Sequence, residues 1–172
     1  LRQGLVVRRE RAKIALKGDD DGLRRKPGML GGVNTSSPLL FDDGQADAVI
    51  EFSRAGQPVH ITPFTLAGAM SPASIGGSLV QQNAEALAGI VLGQAACRGS
   101  PTFYGHFTSN VEMKTGSPAF GTPEYAQSVI VSGQLARRYK LPIRSSNTTA
   151  APTVDAQAAY ESDMSINACV QG

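Results

Sequence analysis

Apolar and polar positions alternate between two periods along this chain. Short apolar runs at Met29–Val33, Pro58–Pro63, Pro101–Gly105 and Leu141–Arg144 read as buried strands, with Val59 and Ile61 alternating in the second. Between them the period becomes helical. Val80, Ala84, Leu87 and Val91 recur at spacings of four, three and four, so they share one helix face. Tyr125, Val129, Ser132, Ala136 and Tyr139 do the same further on. The pattern predicts strands near 29–33, 58–63, 101–105 and 141–145 and helices near 44–55, 77–95, 123–140 and 154–170.

Local signals mark the boundaries. Thr122 can cap free N–H groups, Pro123 sits where its missing N–H costs nothing, and Glu124 complements the positive helix end. Asp42 or Asp43 can cap the first long helix, and Gly56 ends it. Each strand runs into a polar segment: Asn34–Pro38, the Gly/Ala/Ser/Pro-rich Phe64–Gly77, the loop Thr108–Asn110 with the turn region Gly116–Gly121, and Ser145–Thr149. Residues 5–17 suggest a basic helix, broken by Asp19-Asp20-Asp21-Gly22, and Arg24–Gly28 reads as loop.

Four strands alternating with helices predict an α/β fold with a parallel sheet, because parallel strands need crossovers. Two architectures compete: part of a (β/α)8 barrel, or a doubly wound open sheet. Neither a GxGxxG fingerprint nor a phosphate-loop motif occurs, which disfavours a nucleotide-binding sheet. A whole barrel takes about 250 residues. On the barrel reading the chain is truncated, with residues 1–28 an N-terminal basic helix and loop and 29–172 about four consecutive units of a TIM barrel.

Composition narrows the function. Hydrophobic residues are 41% and charged residues 17% of 172, which suits a compact domain with its own core. The net charge is +2, and the basic excess near the N-terminus lacks interleaved aromatics, so nucleic acid is not an expected partner. Two cysteines, Cys97 and Cys169, form neither a disulfide framework nor a zinc pattern, and two histidines are too few for a histidine-built metal site. No signal peptide or membrane-length apolar run is visible, so a cytoplasmic location away from membranes is expected.

In either architecture the loops after the strands carry function. These loops offer aromatics, hydroxyls, amides, His106 and Arg144, with few carboxylates, so a paired-carboxylate hydrolase is not expected. Phe64, Tyr104, His106, Asn110, Arg144 and Asn147 are the candidate substrate-binding residues, each at or just past a predicted strand end. Phe64, Tyr104, Phe107, Phe120 and Tyr125 could form a cage for a quaternary amine; core packing explains each individually as well. Phe103 reads as core. Arg144 could hold a carboxylate or pair with a helix carboxylate. His106 could be an acid, a base or a loop histidine held by hydrogen bonds.

Longer strings go further. VNTSSPL at 33–39, AGQPVHITPFTLAGAMSP at 55–72, QQNAEALAGIVLGQ at 81–94, YGHFTSNVEMKTGSPAFGTPEY at 104–125, GQLARRYKLPIRSSN at 133–147 and DAQAAYES at 155–162 resemble the trimethylamine methyltransferase family. The resemblance implies a (β/α)8 barrel enzyme. It would move a methyl group from a methylated amine, trimethylamine or a quaternary amine such as glycine betaine, to the cobalt of a corrinoid. It implies a cognate corrinoid protein as partner and no cofactor bound directly by this chain, and leaves a homo-oligomer open. Weighed beside it are an aldolase- or lyase-type barrel enzyme acting on an anionic substrate, and an inactive fragment that keeps an amine pocket.

Overall fold

The computed structural model describes residues 19–172. The basic helix expected at 5–17 lies outside them. The acidic run starts a helix that takes in Arg24 and Arg25, expected as loop: Asp19 accepts from Gly22 N, and α1 spans Asp20–Arg25. Leu23 on α1 is buried. The Gln57 side chain fixes the segment, donating to Leu23 O and accepting from Gly28 N and Met29 N.

Four strands form one parallel sheet in chain order: β1 (Gly31–Thr35), β2 (Val59–Pro63), then Thr102–Gly105 and Ile143–Arg144. Between the second and third of these, the short strand β3 (Thr65–Ala67) precedes the long helix, so Thr102–Gly105 is β4. The chain then adds β5 (Thr108–Val111), β6 (Pro118–Ala119) and finally β7 (Ile143–Arg144). The first strand begins two residues later than expected, because pairing starts where Gly31 meets Val59. β7 is cut short by Pro142, which has no N–H to donate.

The helices α2 (Asp43–Arg54), α3 (Ile75–Ala96), α4 (Pro123–Tyr139) and α5 (Ala156–Gln171) fall where the periodicity placed them, within about two residues. Asp42 and Gln45 form a reciprocal capping box, and Ser74, Thr122 and Asp155 cap the other three. Val33, Ile61 and Tyr104 share one register layer of the sheet and pack with Val49, Phe52, Ile90 and Ala136 of α2, α3 and α4. All three helices thus cover the same sheet face, and α5 packs on α4. At Gly89 a Cβ would stand 2.7 Å from an Ile61 methyl carbon, so glycine lets α3 lie close on the sheet.

Three features depart from the sequence reading. The segments after β2 and β4, expected as loops, form a second sheet in the order β3-β5-β6, parallel then antiparallel. Phe103 is half-buried on the face away from the helices, while Tyr104 takes the core position. The Val80–Ala84–Val91 face of α3 points outward, and its buried face carries Ser78, Gln82, Glu85, Ala86, Gly89 and Gly93. Polar and small residues join Leu79 and Ile90 in holding this helix against the sheet.

Candidate functional site

The carboxyl ends of β2 and β4 are where the chain leaves the main sheet for the second one. Phe64 lies at the first junction and His106-Phe107 at the second. Their parallel continuation is tied by Thr65 and Thr108, whose hydroxyls hydrogen-bond in the interior. The Thr108 hydroxyl also donates to Gln82 Oε1, and Gln82 Nε2 donates to Ser132 Oγ at 3.0 Å, locking the junction onto α3 and α4.

An aromatic cluster forms at this junction. Phe107 is its hub, with ring centroids 5.1 Å from Phe64, 5.5 Å from Phe120 and 6.5 Å from Tyr125. The three phenylalanines are half-buried, and Tyr125 is buried with its hydroxyl on Ser146 O at 2.6 Å. His106 lies under the cluster, 5.4 Å from the Tyr125 ring, and is fully buried. Its Nδ1 meets Ser145 Oγ at 3.1 Å and its Nε2 meets Ser128 Oγ at 2.8 Å. Burial, with the nearby Arg144 charge adding, pushes this imidazole down to about 3, so it is neutral at ordinary pH. Both ring nitrogens are engaged, which makes His106 a positioning group joining three elements.

The sheet face turned away from the helices is the second part. Parallel register brings Gly32, His60 and Phe103 into one row, and Asn34 and Thr62 into the next. Gly105 pairs with Arg144, one residue beyond the core pair Tyr104–Ile143, so Arg144 lies on this same face. The His60 ring lies across Gly32, where a Cβ would stand 2.7 Å from Nε2, and His60 Nδ1 bonds Thr62 Oγ1 at 2.7 Å. Partial burial, then the Arg144 charge, lowers the His60 pKa. Among the described residues no carboxylate lies within salt-bridge reach of Arg144. The ion pair weighed for Arg144 is therefore not present there, and its charge adds to burial in lowering both imidazoles.

Of the six candidates, Phe64 and His106 belong to the aromatic junction and Arg144 to the open face beside it. Asn110 is on β5, where its Oδ1 accepts from the α4 cap Thr122 at 2.9 Å. Asn147 is exposed in the loop after β7. Tyr104 does not reach this end: it is 0% exposed among the helices, with its hydroxyl donating to Asn83 Oδ1 at 3.1 Å. Burial pushes its phenol up to about 12, so it remains a neutral donor. Its side chain belongs to the core cluster between sheet and helices. His60 was missed because alternation alone cannot say which parity of a strand faces away from the helices.

Two carboxylates near these loops are structural. Glu85 accepts from the hydroxyls of Thr35 and Ser37, from Leu39 N and from Gln81, pinning the loop after β1 to α3. Glu161 accepts from Thr149, Gln157 and Ala150 N, which hold its carboxyl below the usual range and pin the loop after β7 to α5. Among the described residues, no three His, Cys, Asp or Glu side chains converge as metal ligands, and no helix is long and apolar enough to cross a membrane.

Fold and site together describe a β/α protein with an aromatic junction and an arginine, without a carboxylate partner among the described residues, at the carboxyl end of a parallel sheet. Over residues 11–172 the sequence matches the model of the family described as trimethylamine methyltransferase (MTTB), and the chain belongs to that family. It is 41% identical over 154 residues to a glycine betaine methyltransferase of Desulfitobacterium hafniense strain Y51, covering 89% of this chain and 32% of the relative. It is 32% identical over 157 residues to the trimethylamine methyltransferase MttB2 of Methanosarcina mazei, covering 91% and 32%. The chain spans about a third of the length of these relatives.

Proposed function

We propose that this chain is part of a (β/α)8 barrel methyltransferase that takes a methyl group from a quaternary amine bearing a carboxylate, of which glycine betaine is the simplest. The acceptor is the cobalt of a corrinoid carried by a cognate partner protein. The sheet supports the barrel reading, since its four strands run parallel in chain order and, among the described residues, the helices packed on it lie on one face. A doubly wound sheet would reverse its strand order and cover both faces. The observation that carries the substrate is the conjunction at the carboxyl end: half-buried Phe64, Phe107 and Phe120 beside an Arg144 without a carboxylate partner among the described residues. Aromatic faces attract an alkylammonium by roughly 0.5–2 kcal/mol each, and a guanidinium matches a carboxylate fork. The similarity to a glycine betaine methyltransferase supports the same choice.

The corrinoid, when its carrier is docked, supplies the nucleophile for an SN2-type transfer. The residues of this chain fit a positioning role. The rings orient the ammonium, Arg144 fixes the far end, and the neutral His106 leaves the cationic substrate without added repulsion. Asn147, exposed beyond β7, is assigned to the rim of the same site.

The test uses the full-length enzyme with Co(I) corrinoid protein and reads cobalt methylation by absorbance, comparing glycine betaine with trimethylamine. Arg144→Gln removes hydrogen bonds to a charged group, each worth about 1.5–3 kcal/mol, so kcat/KM for betaine should fall about a hundredfold. Trimethylamine, which has no carboxylate, should change little. Equal loss for both substrates would assign Arg144 to structure. Absence of transfer from any methylated amine would overturn the function.

A further inference from the structure

The arginine and the aromatic rings stand on one base. Arg144, Ser145 and Ser146 are consecutive, and each is tied to the cluster. Arg144 O accepts from His106 N at 2.9 Å, Ser145 Oγ meets His106 Nδ1 at 3.1 Å, and Ser146 O accepts from the Tyr125 hydroxyl at 2.6 Å. The hub ring is held in the same way. Phe107 stands between His106 and Thr108, and Ser128 Oγ bonds both neighbours, meeting His106 Nε2 at 2.8 Å and donating to Thr108 O at 3.0 Å. Tyr125 and Ser128 are one turn apart on α4 and share a helix face. A single turn of α4 thus carries both the arginine segment and the hub of the rings.

These ties lie in the interior, since His106, Tyr125 and Ser128 are all buried. Breaking a buried hydrogen bond leaves its partners unsatisfied, and a packed network holds discrete arrangements rather than a continuous range. The segment after β7 is therefore not free to slide along the rings. A substrate with an ammonium alone needs no such arrangement. One with a charge at each end does, because its two recognition groups then have to stand at a set separation.

We infer that the site gauges the length of its substrate: His106 and Tyr125 are positioning residues that fix Arg144 against Phe107, and so select among trimethylammonium carboxylates by the number of methylenes between the charged ends. The assignment of Arg144 to the carboxylate and the rings to the ammonium is that of the proposed function, whose simplest substrate, glycine betaine, has one methylene. Each added methylene moves the carboxylate by up to about 1.3 Å. A displacement of about 1 Å from a productive geometry costs up to about a hundredfold, and one surplus methylene in a fitted pocket costs about tenfold or more.

The test uses the full-length enzyme and titration calorimetry. The probes are glycine betaine, its homologues with two and three methylenes, and tetramethylammonium, which lacks the carboxylate. Wild type should bind glycine betaine about tenfold or more tighter than the two-methylene homologue. Tyr125→Phe keeps the ring and releases Ser146, and Ser145→Ala releases the tie to His106. Together they should bring that ratio within about threefold of unity. Tetramethylammonium should bind as it does to wild type, since the rings remain. Each single variant should fall between. Arg144→Gln separates the gauge from the substrate reading. If that variant binds glycine betaine as tightly as wild type, the substrate reading fails and the gauge with it. If it binds glycine betaine more weakly, yet wild type takes all the homologues alike or the released variant keeps the full ratio, the gauge alone is overturned. Equal weakening of every probe, tetramethylammonium included, makes the ties structural and overturns it as well. The wild-type comparison and the single variants decide the question if the double variant fails to fold.

Discussion

Acidification should destabilise this fold through one residue well before its carboxylates titrate. His106 is fully buried between Ser145 and Ser128, and its imidazole is held down to about 3 against 6.5 in an unfolded chain. The sign follows from proton counting. Below pH 6.5 the unfolded chain binds a proton that the folded chain refuses, so stability is complete above about pH 7 and falls as pH drops through 6.5, down to about 3. Between about pH 7 and pH 5 the loss is near RT ln(1 + 10^1.5), about 2 kcal/mol, a substantial part of the 5–15 kcal/mol of a typical domain. His60 contributes in the same direction, its pKa also being lowered. Glu112 and Glu161, held below their ordinary value of 4.5, lose stability only at lower pH. The His106→Asn variant isolates the effect, because Asn keeps a polar group toward Ser145 but cannot titrate. Urea unfolding from about pH 7 to pH 5 should show the wild type losing about 2 kcal/mol more than the variant. Parallel pH dependences in the two proteins, or a His106 ring titrating near 6.5 by NMR, would refute the argument.

Two further outcomes follow from buried groups. Glu85→Ala strips four donors of their acceptor and should cost about 3–5 kcal/mol in urea unfolding, with Glu85→Gln losing less because it retains an acceptor oxygen. Tyr104→Leu should cost about 2–4 kcal/mol of stability, since the ring is fully buried and its hydroxyl bonded, while the KM for betaine in the full-length enzyme stays unchanged; a raised KM with intact stability would return Tyr104 to the site.

The succession of β/α units was legible because its signals are local. Asp42 and Thr122 cap their helices through bonds to N–H groups three residues on, and α3 and α4 carry a 3.6-residue period long enough to read. The strings shared with methyltransferases carried the family, and the position of Phe64 and Arg144 at strand ends followed from the strand pattern. What the chain could not show by itself was which way each element faces. Phe103 and Tyr104 are adjacent apolar residues, and a strand's parity assigns one to each face; only register with Ile61 and His60 decides that Tyr104 joins the core. The outward side of α3 was hidden similarly, because both of its faces are uncharged and the buried one is bound through Gln82, Glu85 and close-packed glycines. The second sheet was invisible for a different reason. Thr65, Thr108, Ser109 and Asn110 carry no hydrophobic alternation, and they become strands because β2 and β4 deliver them side by side, where backbone pairing and the buried Thr65–Thr108–Gln82 bonds satisfy their polar groups.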